Sequence, residues 1–230
     1  MVGYCGNVDA IVSYWVNEDN EWSVHFEART DRACPVMLTS HSYFNLSGGL
    51  RDIRDQEVQI FADEMPEVDQ DLIPTGKIRK VEGTPMDFRT PHKVGEFISQ
   101  PYDMLKAGND GYDLAFIINS GDRGRLTKAA VLSDPVSGRI MEVLTDQRIV
   151  QFYTGQHLDA TGKKGQHYSR NHGTRQSPCY DLTSLNRFFQ GLCFETHGFV
   201  DAPNHTNFPS ITLRPGELYS SLTVHRFSTK

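Results

Sequence analysis

No apolar run in this sequence approaches the roughly 18 residues a membrane-crossing helix needs. Residues 1–16 form neither a basic leader nor a continuous apolar stretch, so the reading expects no membrane partner and a cytoplasmic protein. Cysteine is scarce: Cys5, Cys34, Cys179 and Cys193 are widely and irregularly spaced, which excludes a disulfide scaffold and suits reduced thiols. Positive charge is also short, with Lys+Arg 23 against Asp+Glu 29 and a net charge of -6. A chain without a basic footprint cannot displace counterions from nucleic acid, and that class of partner is excluded.

Known reaction machinery is thin as well. Thr75-Gly76-Lys77 and Thr161-Gly162-Lys163 lack the earlier glycine and following hydroxyl of a phosphate loop, and no serine occupies a Gly-x-Ser-x-Gly elbow. His167, His172, Cys179, Cys193, His197 and His205 include no Cys-x-x-Cys pair and match no common structural zinc spacing, so no metal and no cofactor are expected.

What is present reads as strand. The stretch 8–16 is rich in β-branched and aromatic residues, Asn17-Glu18-Asp19-Asn20 is turn chemistry, and Trp22, Val24, Phe26 and Ala28 then alternate with polar neighbours. That is a hairpin. Further short strands are expected at 36–46, 57–61, 113–119, 128–132, 139–144, 150–154, 192–196, 211–213 and 218–227, punctuated by glycine and proline. The best short helix candidate is 94–98, after Thr90-Pro91. The fold class is all-β, a large antiparallel β-sandwich in one domain spanning 1–230. The stretch 161–190 has little apolar periodicity and is longer than an ordinary connection, so an insertion is expected at about 174–190.

Eight phrases then occur in order: His41-Ser42-Tyr43-Phe44-Asn45-Leu46-Ser47-Gly48, Asp71-Leu72-Ile73-Pro74-Thr75-Gly76, Gly83-Thr84-Pro85-Met86-Asp87-Phe88-Arg89, Gly111-Tyr112-Asp113, Ser137-Gly138-Arg139-Ile140-Met141-Glu142-Val143, Val150-Gln151-Phe152-Tyr153-Thr154-Gly155, Phe194-Glu195-Thr196 and Leu213-Arg214-Pro215-Gly216-Glu217. Together they resemble the aldose 1-epimerase (galactose mutarotase) family over nearly the whole chain apart from the insertion. The resemblance implies a sandwich that binds a hexose such as galactose or glucose in an open cleft and exchanges its α and β anomers without metal or cofactor. It implies His41 as general acid, Glu195 as general base, and Asp113 and Gln151 as partners of sugar hydroxyls, with Ser42 and Tyr43 in the same binding phrase as His41. The second and third phrases read as turn and packing signatures.

The chemistry suits these residue types. Opening a cyclic hemiacetal removes a proton from the C1 hydroxyl and protonates the ring oxygen, so a carboxylate and an acid are expected to face opposite sides of one C–O bond. A carboxylate flanked by Cys193 and Phe194 gains basicity from desolvation.

The sequence also departs from the family it resembles. Gly3-Tyr4-Cys5-Gly6-Asn7 resembles a phrase well inside a family domain, so about a third of the domain, with an arginine and a further histidine of the sugar site, is expected to be missing at the N-terminal side. An incomplete sheet of this kind exposes apolar faces and edges. Leu114-Ala115 stand where the family usually has His-Asn, Ser40 precedes His41 in place of asparagine, and His197 replaces glutamine. The inserted stretch reads either as genuine protein or as a translated intron, because excising it joins Asn171-His172-Gly173 to the strand of Glu195. Two other readings stay open: a catalytically inactive carbohydrate-binding or regulatory module, and a truncated product without independent function. Oligomeric state and preferred sugar are not legible.

Overall fold

Asn17 closes the first hairpin. Its Oδ1 accepts from the backbone N–H groups of Asp19 and Glu21 at 3.0 Å each, and Asn20 takes the left-handed conformation with φ 59°. This folds β1 (Val8–Val16) onto β2 (Glu21–Thr30), in register from Val8 opposite Thr30 to Val16 opposite Trp22. The molecule is described from a computed structural model covering residues 5–119, 124–158 and 189–230.

The remaining strands follow as β3 (Cys34–Pro35), β4 (Glu57–Ile60), β5 (Glu64–Val68), β6 (Pro74–Lys80), β7 (His92–Lys93), β8 (Asp113–Ile117) and β9 (Thr127–Ser133). Then come β10 (Arg139–Thr145), β11 (Ile149–Tyr153), β12 (Cys193–His197), β13 (Thr212–Leu213) and β14 (Tyr219–Thr229). A seven-stranded antiparallel sheet runs β1-β2-β14-β10-β9-β4-β7, and a five-stranded sheet runs β12-β11-β8-β5-β6. Strands β13 and β3 pair separately. The antiparallel sandwich read from the sequence is therefore the fold observed.

Period-two alternation decides what lies between the sheets. Val58, Ile60, Leu132, Met141 and Val143 point inward from the larger sheet and meet Met65, Leu114, Phe116, Val150, Phe152 and Phe194 from the smaller one. Full burial of each such side chain contributes about 1.5–3 kcal/mol. Under the smaller sheet the rings of Tyr112, Phe152 and Phe194 stack in sequence, with centroids 5.2 and 5.5 Å apart, and make a stiff floor for its other face. At the outer edge of the larger sheet β1 keeps Ile11, Tyr14 and Val16 exposed.

Three sequence expectations need correction. The stretch 36–46 is not a strand; apart from a single bridge at Phe44, its backbone finds other partners, and Leu38 exchanges both N–H and C=O with the Tyr219 hydroxyl. The helix expected at 94–98 is a run of turns, because the N–H groups of Val94 and Gly95 bond the carbonyls of Gln56 and Arg54. A short helix, α1 (Asp103–Ala107), forms beyond it. Strands β5 and β6 escaped the reading because Pro66, Pro74 and Gly76 disguise them. The expected insertion lies outside the described residues up to 188. Phe189 and Gln190, at its end, bond back to the body through the Ile53 N–H and the Asn45 side chain.

Candidate active site

The face of the smaller sheet turned away from the core collects the chemistry. On β8, inward Leu114 and Phe116 leave Asp113 and Ala115 on this face; on β11, Val150 and Phe152 leave Gln151 and Tyr153; on β12, Phe194 leaves Cys193 and Glu195. Antiparallel register then sets Gln151 opposite both Glu195 and Ala115, and Tyr153 opposite both Cys193 and Asp113. Gln151 Nε2 donates to Asp113 Oδ1 at 2.7 Å. The second carboxylate oxygen of Asp113 and the amide oxygen of Gln151 are acceptors that can serve a ligand.

His41 arrives from outside the sheet. Phe44 and Leu192 exchange backbone hydrogen bonds of 2.8 and 3.0 Å, an isolated antiparallel bridge that lays the 41–44 segment beside the start of β12. Asn45 fixes the segment's far side, donating to the carbonyls of Arg51 and Gln190 while its Oδ1 accepts from Ser47 and Gln56. Gly155, with φ 67°, leaves room for this crossing, since a Cβ there would sit 2.3 Å from the Gly191 carbonyl oxygen.

As a result His41 Nε2 lies 3.5 Å from Glu195 Oε1, and His41 Nδ1 lies 3.3 Å from Cys193 Sγ. The histidine side chain is 51% exposed and the glutamate 13%, so the pair opens on one side only. Burial pushes the Glu195 carboxyl above its ordinary range; the neighbouring His41 opposes this and Asp113 adds to it. Burial likewise holds the Cys193 thiol in its protonated form. The rings of Tyr43 and Tyr153 stand 5.0 and 5.7 Å from that of His41 and form an aromatic wall. Desolvation first, and then nearby acidic groups, push the Tyr43 phenol up to about 12.

Five of the six residues singled out in the sequence, His41, Tyr43, Asp113, Gln151 and Glu195, share this face or its rim. The sixth, Ser42, has its hydroxyl paired with that of Ser40 at 2.9 Å. His41 and Glu195, expected from the sequence as acid and base, lie side by side because the Phe44–Leu192 bridge sets their backbones next to each other. Sequence reasoning missed Tyr153 as part of the wall and Cys193 as the partner of His41. Each lies two positions from an identified residue on the same strand, and period two was the signal that would have found them.

Beyond Asp113 and Gln151 the cleft deepens into a cavity of about 210 Å³ walled by Pro66, Val68, Leu72, Pro74, Ile149 and Val200. Leu72, read from sequence as a turn residue, holds φ 61° there. Of the histidines and cysteines considered for zinc, His167, His172 and Cys179 lie outside the described residues. His197 bonds the Gly198 carbonyl, and His205 the Pro74 carbonyl.

Comparison with known proteins bears on the family and the fold. The family model described as aldose 1-epimerase matches residues 2–226. A galactose mutarotase of Rattus norvegicus is 39% identical over 229 residues, 98% of this chain and 59% of the relative. An aldose 1-epimerase of Escherichia coli K12 is 35% identical over 98% of the chain and 60% of its own length. The chain thus spans about three-fifths of the relatives it matches. Among solved structures, an aldose epimerase homologue from C. elegans superposes with a TM-score of 0.76 at 28% identity, covering 99% of this chain and 62% of that one.

Proposed function

Because the chain belongs to the aldose 1-epimerase family, we propose that its cleft binds a hexose of the galactose and glucose type and interconverts the α and β anomers by general acid–base ring opening. The observation that carries this reading is the 3.5 Å approach of His41 Nε2 to Glu195 Oε1 on the rim of a cleft that also holds the Asp113–Gln151 pair.

The two oxygens that must exchange protons, the C1 hydroxyl and the ring oxygen, share one carbon, so an acid and a base side by side reach both. Glu195 takes the C1 hydroxyl proton while His41 gives one to the ring oxygen, and the C1–O5 bond breaks to leave an aldehyde and a C5 hydroxyl. Rotation about C1–C2 presents the other carbonyl face. Closure returns the C5 hydroxyl proton to His41 and the Glu195 proton to the new C1 hydroxyl. Neither residue ends with a net change.

Desolvation strengthens Glu195 as a base. A positioned acid or base contributes about 10²–10⁴-fold. Asp113 accepts from sugar hydroxyls and Gln151 holds its carboxylate in place, while Tyr43 and Tyr153 offer ring faces to the C–H side of the sugar.

The test is polarimetry on freshly dissolved α-galactose and α-glucose. Accelerated anomer exchange that is lost in both Glu195→Gln and His41→Asn supports the reading. Sugar binding without acceleration overturns it in favour of a binding module.

A further inference from the structure

Cys193 takes no part in the proton transfers proposed above, yet its sulfur lies against the reacting pair. Sγ is 3.3 Å from His41 Nδ1, His41 Nε2 is 3.5 Å from Glu195 Oε1, and one donor atom from each of the three residues lies within 4.8 Å of the other two. Two features of the fold produce this. Cys193 and Glu195 are two apart on β12 and share its outer face, and the Phe44–Leu192 bridge brings His41 over them. A sulfur, an imidazole nitrogen and a carboxylate oxygen form the donor set of a zinc-class ion rather than of calcium or magnesium.

We infer that His41, Cys193 and Glu195 form a reversible binding site for a soft divalent cation of the zinc class, held by Cys193 Sγ, one ring nitrogen of His41 and the Glu195 carboxylate.

Tetrahedral zinc, with bonds of about 2.3 Å to sulfur and about 2.0 Å to nitrogen and oxygen, sets its donors roughly 3.3–3.5 Å apart. The 3.3 and 3.5 Å separations are of this size but engage opposite nitrogens of one ring, so the three donors are close without yet sharing one nitrogen. A turn of the half-exposed His41 ring, against Tyr43 and Tyr153, would bring a single nitrogen between sulfur and carboxylate. The fourth position then faces the open cleft, where water or another small ligand completes the ion. Binding exchanges the thiol proton for a metal–sulfur bond and, where His41 is charged, also displaces the proton from the ligating ring nitrogen; these protons go to solvent, with no change of oxidation state, and a coordinating thiol is deprotonated outright by the cation's charge. If the epimerase reading holds, the ion occupies both groups that move protons, and it acts as an inhibitor.

Cobalt(II) titrated into the full chain, in buffer free of chelator and added thiol, tests the site without reference to activity. The expected result is a thiolate-to-cobalt charge-transfer band saturating at one ion per chain and abolished by excess EDTA. Cys193→Ser is expected to remove the band and Glu195→Gln to weaken binding by about tenfold or more, while Cys5→Ser leaves it intact. Circular dichroism checks that each variant is folded. No band in the unsubstituted chain, or an unchanged band in Cys193→Ser, overturns the site. In a second arm, zinc chloride slows anomer exchange and EDTA restores it; a band that depends on Cys193 together with zinc-insensitive exchange overturns inhibition alone. A chain that shows the band but no exchange with any hexose counts against the epimerase reading and leaves the site standing.

Discussion

His41 Nε2 and Glu195 Oε1 lie 3.5 Å apart although one comes from an irregular segment and the other from an interior position of a strand. What joins them is a backbone bridge of two hydrogen bonds, between Phe44 and Leu192, three residues from each. Neighbouring acid and base are expected to act as one unit. Glu195→Gln and His41→Asn should each lower kcat/KM by about 10²–10⁴-fold, and the double variant should lose much less than the product of the two. Full multiplicativity in polarimetric rates would show that they act independently.

Charge at Glu195 opposes folding. Burial first, and Asp113 after it, raise the native carboxyl above its ordinary 4.5, so the native state holds this proton more tightly than the unfolded chain does. The stability this group gives is complete below the unfolded value and is lost as pH rises through the native one. Glu195→Gln is therefore expected to raise the thermal midpoint at about pH 8, by about 2–4 °C for each kcal/mol regained, and to change it little at about pH 4. A lower midpoint at pH 8 refutes this.

Asp113 and Gln151 are expected to govern binding rather than proton transfer. Removing the carboxylate in Asp113→Ala deletes one charge-assisted contact, worth about 1.5–3 kcal/mol, and leaves Gln151 Nε2 without its 2.7 Å acceptor. The expected outcome is a KM raised by about 10–100-fold with kcat changed much less. A fall confined to kcat would place Asp113 in the chemistry.

Asn45 is the structural keystone of the first sequence phrase. Its side chain spans the 41–51 segment and the start of β12 through donors to Arg51 and Gln190 and an acceptor to Ser47 and Gln56. Asn45→Ala strands partly buried groups at about 1–3 kcal/mol. Urea unfolding is expected to show that loss together with a fall in activity, because His41 loses its fixed approach. Unaltered stability would mean that the bridge alone suffices.

Acid sensitivity is expected from a residue outside the His41–Glu195 pair. His225 is 2% exposed, packed between Trp22 and Phe44 with ring centroids 4.7 and 5.0 Å away. Burial, offset in part by the Trp22 backbone, takes it from 6.5 down to about 4. A depressed native value means that its contribution is present above the unfolded value and is lost as pH falls through the native one, in total of the order of 3 kcal/mol. Between about pH 7 and pH 4, His225→Phe should flatten the decline in urea midpoint. An equal decline in both proteins would assign the sensitivity elsewhere.

The sequence exposed the site unevenly, and for physical reasons. Strands with clean alternation, such as β2 and β10, were legible because a half-buried strand must alternate. Strands β5 and β6 were not, since proline and glycine there are tolerated by local geometry that no pattern announces. Glu195 and Gln151 could be singled out by their phrases, whereas only strand parity could have placed Cys193 and Tyr153 beside His41. Leu72 was read as a turn residue, and it is one, but its left-handed backbone also aims it into the cavity wall.

By itself the sequence determined the class of fold, through period-two patterning broken by turn residues, and it determined through ordered phrases which family's chemistry to look for. Local pattern extends over a few residues, so it carries that much and no more. Only the tertiary structure decided that His41 stands beside Glu195, that the Cys193 thiol lies against the same ring and that the Ser42 hydroxyl pairs with Ser40. Those outcomes depend on strand register and on one bridge between distant backbones, where a shift of a single residue would send each side chain to the opposite face.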